Sequence, residues 1–136
     1  MADAKAELVR GWLAKAHGDL AAARKLGAPP DPALDAALYH CQQAAEKAVK
    51  GWLVWRDQPI AKTHDVRLLV ELAMTMEPGF SAWREAAEQL TPYAVVYRYP
   101  GEDPDPGSEE FEKGLAQAKA LVAFVLSQFP DSCQPA

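Results

Sequence analysis

Residues 33–55, ALDAALYHCQQAAEKAVKGWLVW, constrain the fold more than any other stretch of the chain. Leu34, Ala37, Leu38, Cys41, Ala45, Ala48, Trp52 and Trp55 recur at steps of three and four, which places them on one side of an α-helix. No proline interrupts the run, and alanine, leucine, glutamine and lysine all favour helix. A second stripe, His40, Gln43, Lys47 and Lys50 with Glu46 beside it, is polar. Such a face is ordinarily solvated; a face that meets a partner or a ligand is the alternative. Val49, Leu53 and Val54 lie off the main stripe and call for additional cover, which predicts a homodimer.

Four further helices are predicted around this one. The first runs from about Ala4 to Leu26, with Leu8, Trp12, Ala16, Leu20 and Ala23 facing inward. Gly27 is its expected C-terminal stop, and Pro29, Pro30 and Pro32 make the turn. Asp31 is the expected N-cap of the central helix, with Pro32 at its first position. Pro59 forbids helix just ahead of it. Thr63, as cap, with His64 and Asp65 opens a third helix that buries Val66, Leu69, Val70, Ala73 and Met76. After the Pro78–Gly79 turn, Phe80, Trp83, Ala87, Leu90, Ala94 and Tyr97 mark a fourth. Pro92 either kinks that helix or restarts it with Thr91 as a new cap. Arg98 to Gly107 is a loop rich in proline and glycine. Ser108 is the expected cap of the last helix, whose inner positions are Phe111, Leu115, Ala118, Val122, Val125 and Phe129. Glu109, Glu110 and Glu112 crowd its first turn, as the helix dipole favours. The expected fold is an all-α, five-helix, up-and-down antiparallel bundle, a single domain over residues 1–130 with a tail at 131–136. The four tryptophans read as packing residues.

A net charge of −5 argues against wrapping a nucleic-acid backbone, which needs a broad basic surface, but leaves room for a small basic pocket. The first twenty residues carry charges throughout and lack the apolar segment of a signal peptide. No run of about twenty apolar residues is present to span a membrane. Cys41 falls on the apolar stripe and Cys133 in the tail, at a separation that suits no zinc site. Both are expected to be reduced, in a cytoplasmic protein.

The sequence contains no glycine-rich phosphate loop and no pair of histidines at metal-ligand spacing. Neither a metal nor a cofactor is expected. Glu46 and Lys50, four apart, form an ordinary helical ion pair, and His64 reads as a helix opener. Arg98 between Tyr97 and Tyr99 is the most suggestive group. It either neutralises a helix C-terminus or presents its guanidinium to a phosphate, with Tyr97 or Tyr99 stacking on a base.

Three stretches, Gln42–Lys50 (QQAAEKAVK), Thr63-His64-Asp65 and Tyr97-Arg98-Tyr99-Pro100-Gly101, resemble the HEPN family, the higher eukaryotes and prokaryotes nucleotide-binding domains. The resemblance covers nearly the whole chain, with the motifs in the family's order. It implies a helical bundle, usually dimeric, similar to the C-terminal domain of kanamycin nucleotidyltransferase. It also implies a minimal nucleotidyltransferase as partner protein in a toxin–antitoxin-like pair. Many relatives are ribonucleases with an arginine, a spacer of four to six residues and a histidine. Here no histidine follows His64, so Arg98 has none downstream, and from Arg56 the spacer to His64 is seven residues, one too many. The expectation is therefore a non-catalytic HEPN-type module that dimerises, partners a nucleotidyltransferase and binds a nucleotide. The expected contacts are Arg98, Tyr99 and Tyr97, with Lys47 and Lys50 as second candidates. One alternative is a ribonuclease toxin that pairs Arg98 with a histidine from elsewhere, such as His40. The other is an oligomeric helical protein with no ligand.

Overall fold

A computed structural model describes residues 2–97 and 104–130 of the chain. It is all-helical, with five α-helices and, among the described residues, no strand: α1 Ala2–Leu26, α2 Leu34–Trp55, α3 Val66–Met74, α4 Arg84–Leu90 and α5 Ser108–Ser127. None is long and apolar enough to cross a membrane. α2 packs against each of the other four, and fifteen of its 22 residues are buried. Of the expected apolar stripe, Ala37, Leu38, Cys41, Ala45, Ala48 and Trp52 are buried, while Leu34 and Trp55 are partly buried at its ends. The Trp52 ring meets Phe80 at 4.7 Å, and Phe80 meets Phe124 of α5 edge-on at 5.0 Å.

Several local expectations are corrected. The buried face of α1 is Val9, Leu13, Ala16, Leu20 and Ala23; Leu8 is 48% exposed and Trp12 is only partly buried. Val49, Leu53 and Val54, expected to need a partner's cover, are buried within the chain. They therefore supply no surface for a dimer. α2 begins two residues beyond Pro32, with Ala33 rather than Asp31 at the N-cap and no side-chain cap bond. Asp65, not Thr63, caps α3 by accepting from the Leu68 amide at 3.1 Å. The Thr63 hydroxyl accepts from the Asp65 amide instead, which sets up that cap. Gly107 rather than Ser108 occupies the N-cap of α5.

The expected fourth helix is three pieces: a 3-10 turn over Pro78–Trp83, α4, and a second 3-10 turn over Thr91–Ala94. Pro92, which has no amide to give, falls where the α-helix tightens into that last turn. The Thr91 hydroxyl donates back to the Ala87 carbonyl at 2.7 Å and accepts from the Arg67 amide at 3.2 Å, so it ties α4 to α3 rather than capping a new helix.

Gly27 lacks the left-handed conformation of a typical glycine stop. Its role is space, because a Cβ there would stand 2.2 Å from the Phe111 ring. Gly114 does the same on α5, where a Cβ would stand 2.5 Å from Leu38 of α2. The two glycines let α5 lie close against the end of α1 and the first turns of α2.

Candidate functional site

The polar stripe of α2 is not a solvated face. Gln42, Gln43, Glu46 and Lys50 are all buried, Glu46 to 3% and Lys50 to 6% exposure. Two elements cover them. The segment leading into α3 brings His64 across the stripe, and α1 brings Asp19.

Glu46 is the hub. One of its oxygens, Oε1, accepts from Gln42 Nε2 at 3.1 Å and faces His64 Nδ1 at 2.9 Å. The other accepts from Lys50 Nζ at 2.9 Å. Gln42 Nε2 also donates to the His64 backbone carbonyl at 2.8 Å, and Gln42 Oε1 accepts from Gln43 Nε2 at 2.7 Å. Burial alone would raise the Glu46 pKa. The hydrogen bonds from Lys50, His64 and Gln42 and the Lys50 charge outweigh it and hold the carboxyl below its ordinary value. Glu46–Lys50 is thus the core of a buried network, not the solvated ion pair that its spacing suggests.

His64 does more than open a helix. A carboxylate facing Nδ1 makes that nitrogen the donor and turns Nε2 outward, and the side chain is 68% exposed. Beside this network, Asp19, itself buried, bridges His40 Nδ1 at 2.8 Å and Lys47 Nζ at 2.7 Å, tying α1 to α2.

A model of the HEPN domain matches residues 9–128. The chain belongs to the HEPN family. Its fold is similar to that in the crystal structure of TT1696 from Thermus thermophilus. The two share 28% identity and a TM-score of 0.71, over 89% of this chain and 98% of that one. A search of curated proteins finds no match.

Two of the three stretches that resemble HEPN sequences meet in the Glu46 network, Gln42–Lys50 supplying the carboxylate and Thr63–Asp65 the imidazole. The third reaches the described residues only at Tyr97, which stacks on Tyr93 with ring centroids 6.1 Å apart and donates to Glu110 at 3.3 Å. Arg98 and Tyr99 lie outside the described residues, as do the separation of His40 from Arg98, Cys133 and the tail at 131–136. Lys47 and Lys50, the second candidates for a phosphate, are held by Asp19 and Glu46. Sequence reasoning missed Asp19, Gln42 and the bond from Glu46 to His64. A signal was there: Gln42, Gln43 and Glu46 are a polar cluster inside a long apolar helix, where buried polar groups must find one another.

Proposed function

We propose that this HEPN domain is a non-catalytic binding module. It dimerises, partners a minimal nucleotidyltransferase as one half of a toxin–antitoxin-like pair, and takes a nucleotide around Tyr97 and Arg98. One observation supports this reading above the others. The acidic groups of the polar face are closed on their neighbours, Glu46 by three donors and Asp19 by His40 and Lys47. Groups so engaged hold a scaffold together and are not available for proton transfer. A phosphate that recruited Lys47 or Lys50 would have to strip a carboxylate of its partner, so Arg98 is the phosphate contact in this reading. Titration with ATP tests it. Arg98→Ala is expected to weaken binding by about 1.5–3 kcal/mol with the fold intact. Superimposable curves for parent and variant would remove Arg98 from the nucleotide site. Light scattering at micromolar concentration is expected to give twice the mass of one chain.

A second reading, RNA cleavage, is favoured by one feature: the exposed His64 ring is oriented by Glu46 through Nδ1, as a general acid–base histidine is. In this reading His64 replaces His40, whose Nδ1 is taken by Asp19. Cleavage by the purified chain that disappears in His64→Ala and survives in His40→Ala would establish it.

A further inference from the structure

Away from the Glu46 network, a hollow of about 230 Å³ lies between the first turns of α2 and the turn that follows α4. Asp35, Ala36, Tyr39, Tyr93 and Tyr97 line it, so three of the four tyrosines of the chain converge there. The Tyr93 and Tyr97 rings are nearly parallel, at 15°, and both hydroxyls donate to the same Glu110 oxygen, at 2.5 and 3.3 Å. That carboxylate fixes two of the lining tyrosines in place and, by drawing on their hydroxyl protons, makes both rings more electron-rich. Burial and Glu110 both push the Tyr93 phenol up, so it stays a neutral donor. Tyr39 is set edge-on to His40 at 5.4 Å. Asp35 supplies a carboxylate fixed by the Ala36 amide at 2.8 Å.

A neighbouring hollow of about 190 Å³ shares Asp35 and adds Asp105. No lysine or arginine lines either hollow among the described residues. An anion would meet the Asp35 carboxylate with no counter-charge among the described residues. A neutral apolar group would bury Asp35 against nothing. A hard metal ion would find one carboxylate where it needs six or more oxygens. A weakly hydrated organic cation satisfies both the rings and the carboxylate, and the space suits a head group rather than a whole nucleoside.

We propose that the Asp35–Tyr39–Tyr93–Tyr97 hollow binds the head of an organic cation, a methylated ammonium or a guanidinium. The cation is either a small free amine or the end of a lysine or arginine side chain. The hollow shares Tyr97 with the nucleotide site proposed above, so the test varies only Asp35 and Tyr39, which that reading does not use.

The test titrates the full chain with choline, with the capped amides of arginine and trimethyllysine, and with 3,3-dimethyl-1-butanol, the uncharged analogue of choline. NMR follows the tyrosine ring signals and the ligand methyl protons, which move upfield when they sit on ring faces. Cations are expected to bind and the uncharged analogue to bind at least tenfold more weakly. Tyr39→Leu and Asp35→Asn should each weaken cation binding about tenfold, while Tyr39→Phe, which keeps the ring, should retain it. Choline tighter than the amides identifies a free amine; amides tighter than choline identify a side chain. Equal binding of choline and its uncharged analogue, or unchanged affinity in both Asp35→Asn and Tyr39→Leu, would overturn the proposal. So would the absence of any upfield shift with every cation.

Discussion

Glu46 and His64 stand 18 residues apart in the chain and 2.9 Å apart in space. The contact draws the start of α3 onto α2 and closes a network in which the buried carboxylate also holds the buried ammonium of Lys50.

Removing that carboxylate is the most damaging single change expected in the network. Glu46→Ala would leave the Lys50 charge buried with no counter-ion and Gln42 short of an acceptor, a loss of about 3–5 kcal/mol. Replacing both partners, Glu46→Met with Lys50→Met, should recover most of it, because no charge is then left alone. Urea unfolding of the parent and both variants checks the two statements.

The same carboxylate gives the fold an acid limit. Its pKa is lower in the folded chain than the ordinary value of 4.5. Its contribution is therefore fully present above pH 4.5 and is lost as the pH falls through the depressed folded value. Urea midpoints measured from pH 6 downward should fall below about 4.5 in the parent. In Glu46→Gln, which has no charge to lose there, the profile should be flatter.

The aromatic centre of the bundle sets a second scale. Trp52 is almost wholly buried, against Phe80. Trp52→Ala should cost about 3–5 kcal/mol in equilibrium unfolding. A change within error would mean that the ring packs far more loosely than its contacts with Phe80 indicate.

Cys41 is enclosed in the same core, and burial pushes its thiol up to about 12. The thiolate that reacts with disulfide reagents is then scarce at neutral pH. In a Cys133→Ser background, labelling of Cys41 should be slow in buffer and should accelerate across the urea transition. Rapid labelling of the folded chain would show that α2 opens locally.

Much of this architecture was legible in the sequence, and what was not has a physical cause. Local periodicity located α1, α2, α3 and α5, the apolar side of α2 and most of the inner positions of α5, but ran α4 together with the 3-10 turns on either side of it. It misplaced the face of α1, because Leu8–Trp12 and Val9–Leu13 both lead at helical steps into Ala16, Leu20 and Ala23. It also read the polar stripe of α2 as wet. What covers that stripe, Asp19 from one side and His64 from the other, comes from distant parts of the chain. Periodicity within one helix carries no record of it. The same limit explains Val49, Leu53 and Val54, whose cover is the rest of the bundle rather than a second copy.

The two hydrogen bonds from Tyr93 and Tyr97 to Glu110 have a consequence for the connection that follows Tyr97. Tyr97 and Glu110 are 13 residues apart, and their contact joins the two ends of the span that carries Arg98 and Tyr99. That contact closes the chain between them into a loop. Each doubling of such a loop costs only about 0.6 kcal/mol in closure entropy. Residues inserted between Tyr97 and Pro104, ahead of the buried Pro106, should therefore leave the melting temperature almost unchanged. This makes it the natural place in the chain to graft a peptide, a tag or a new recognition sequence.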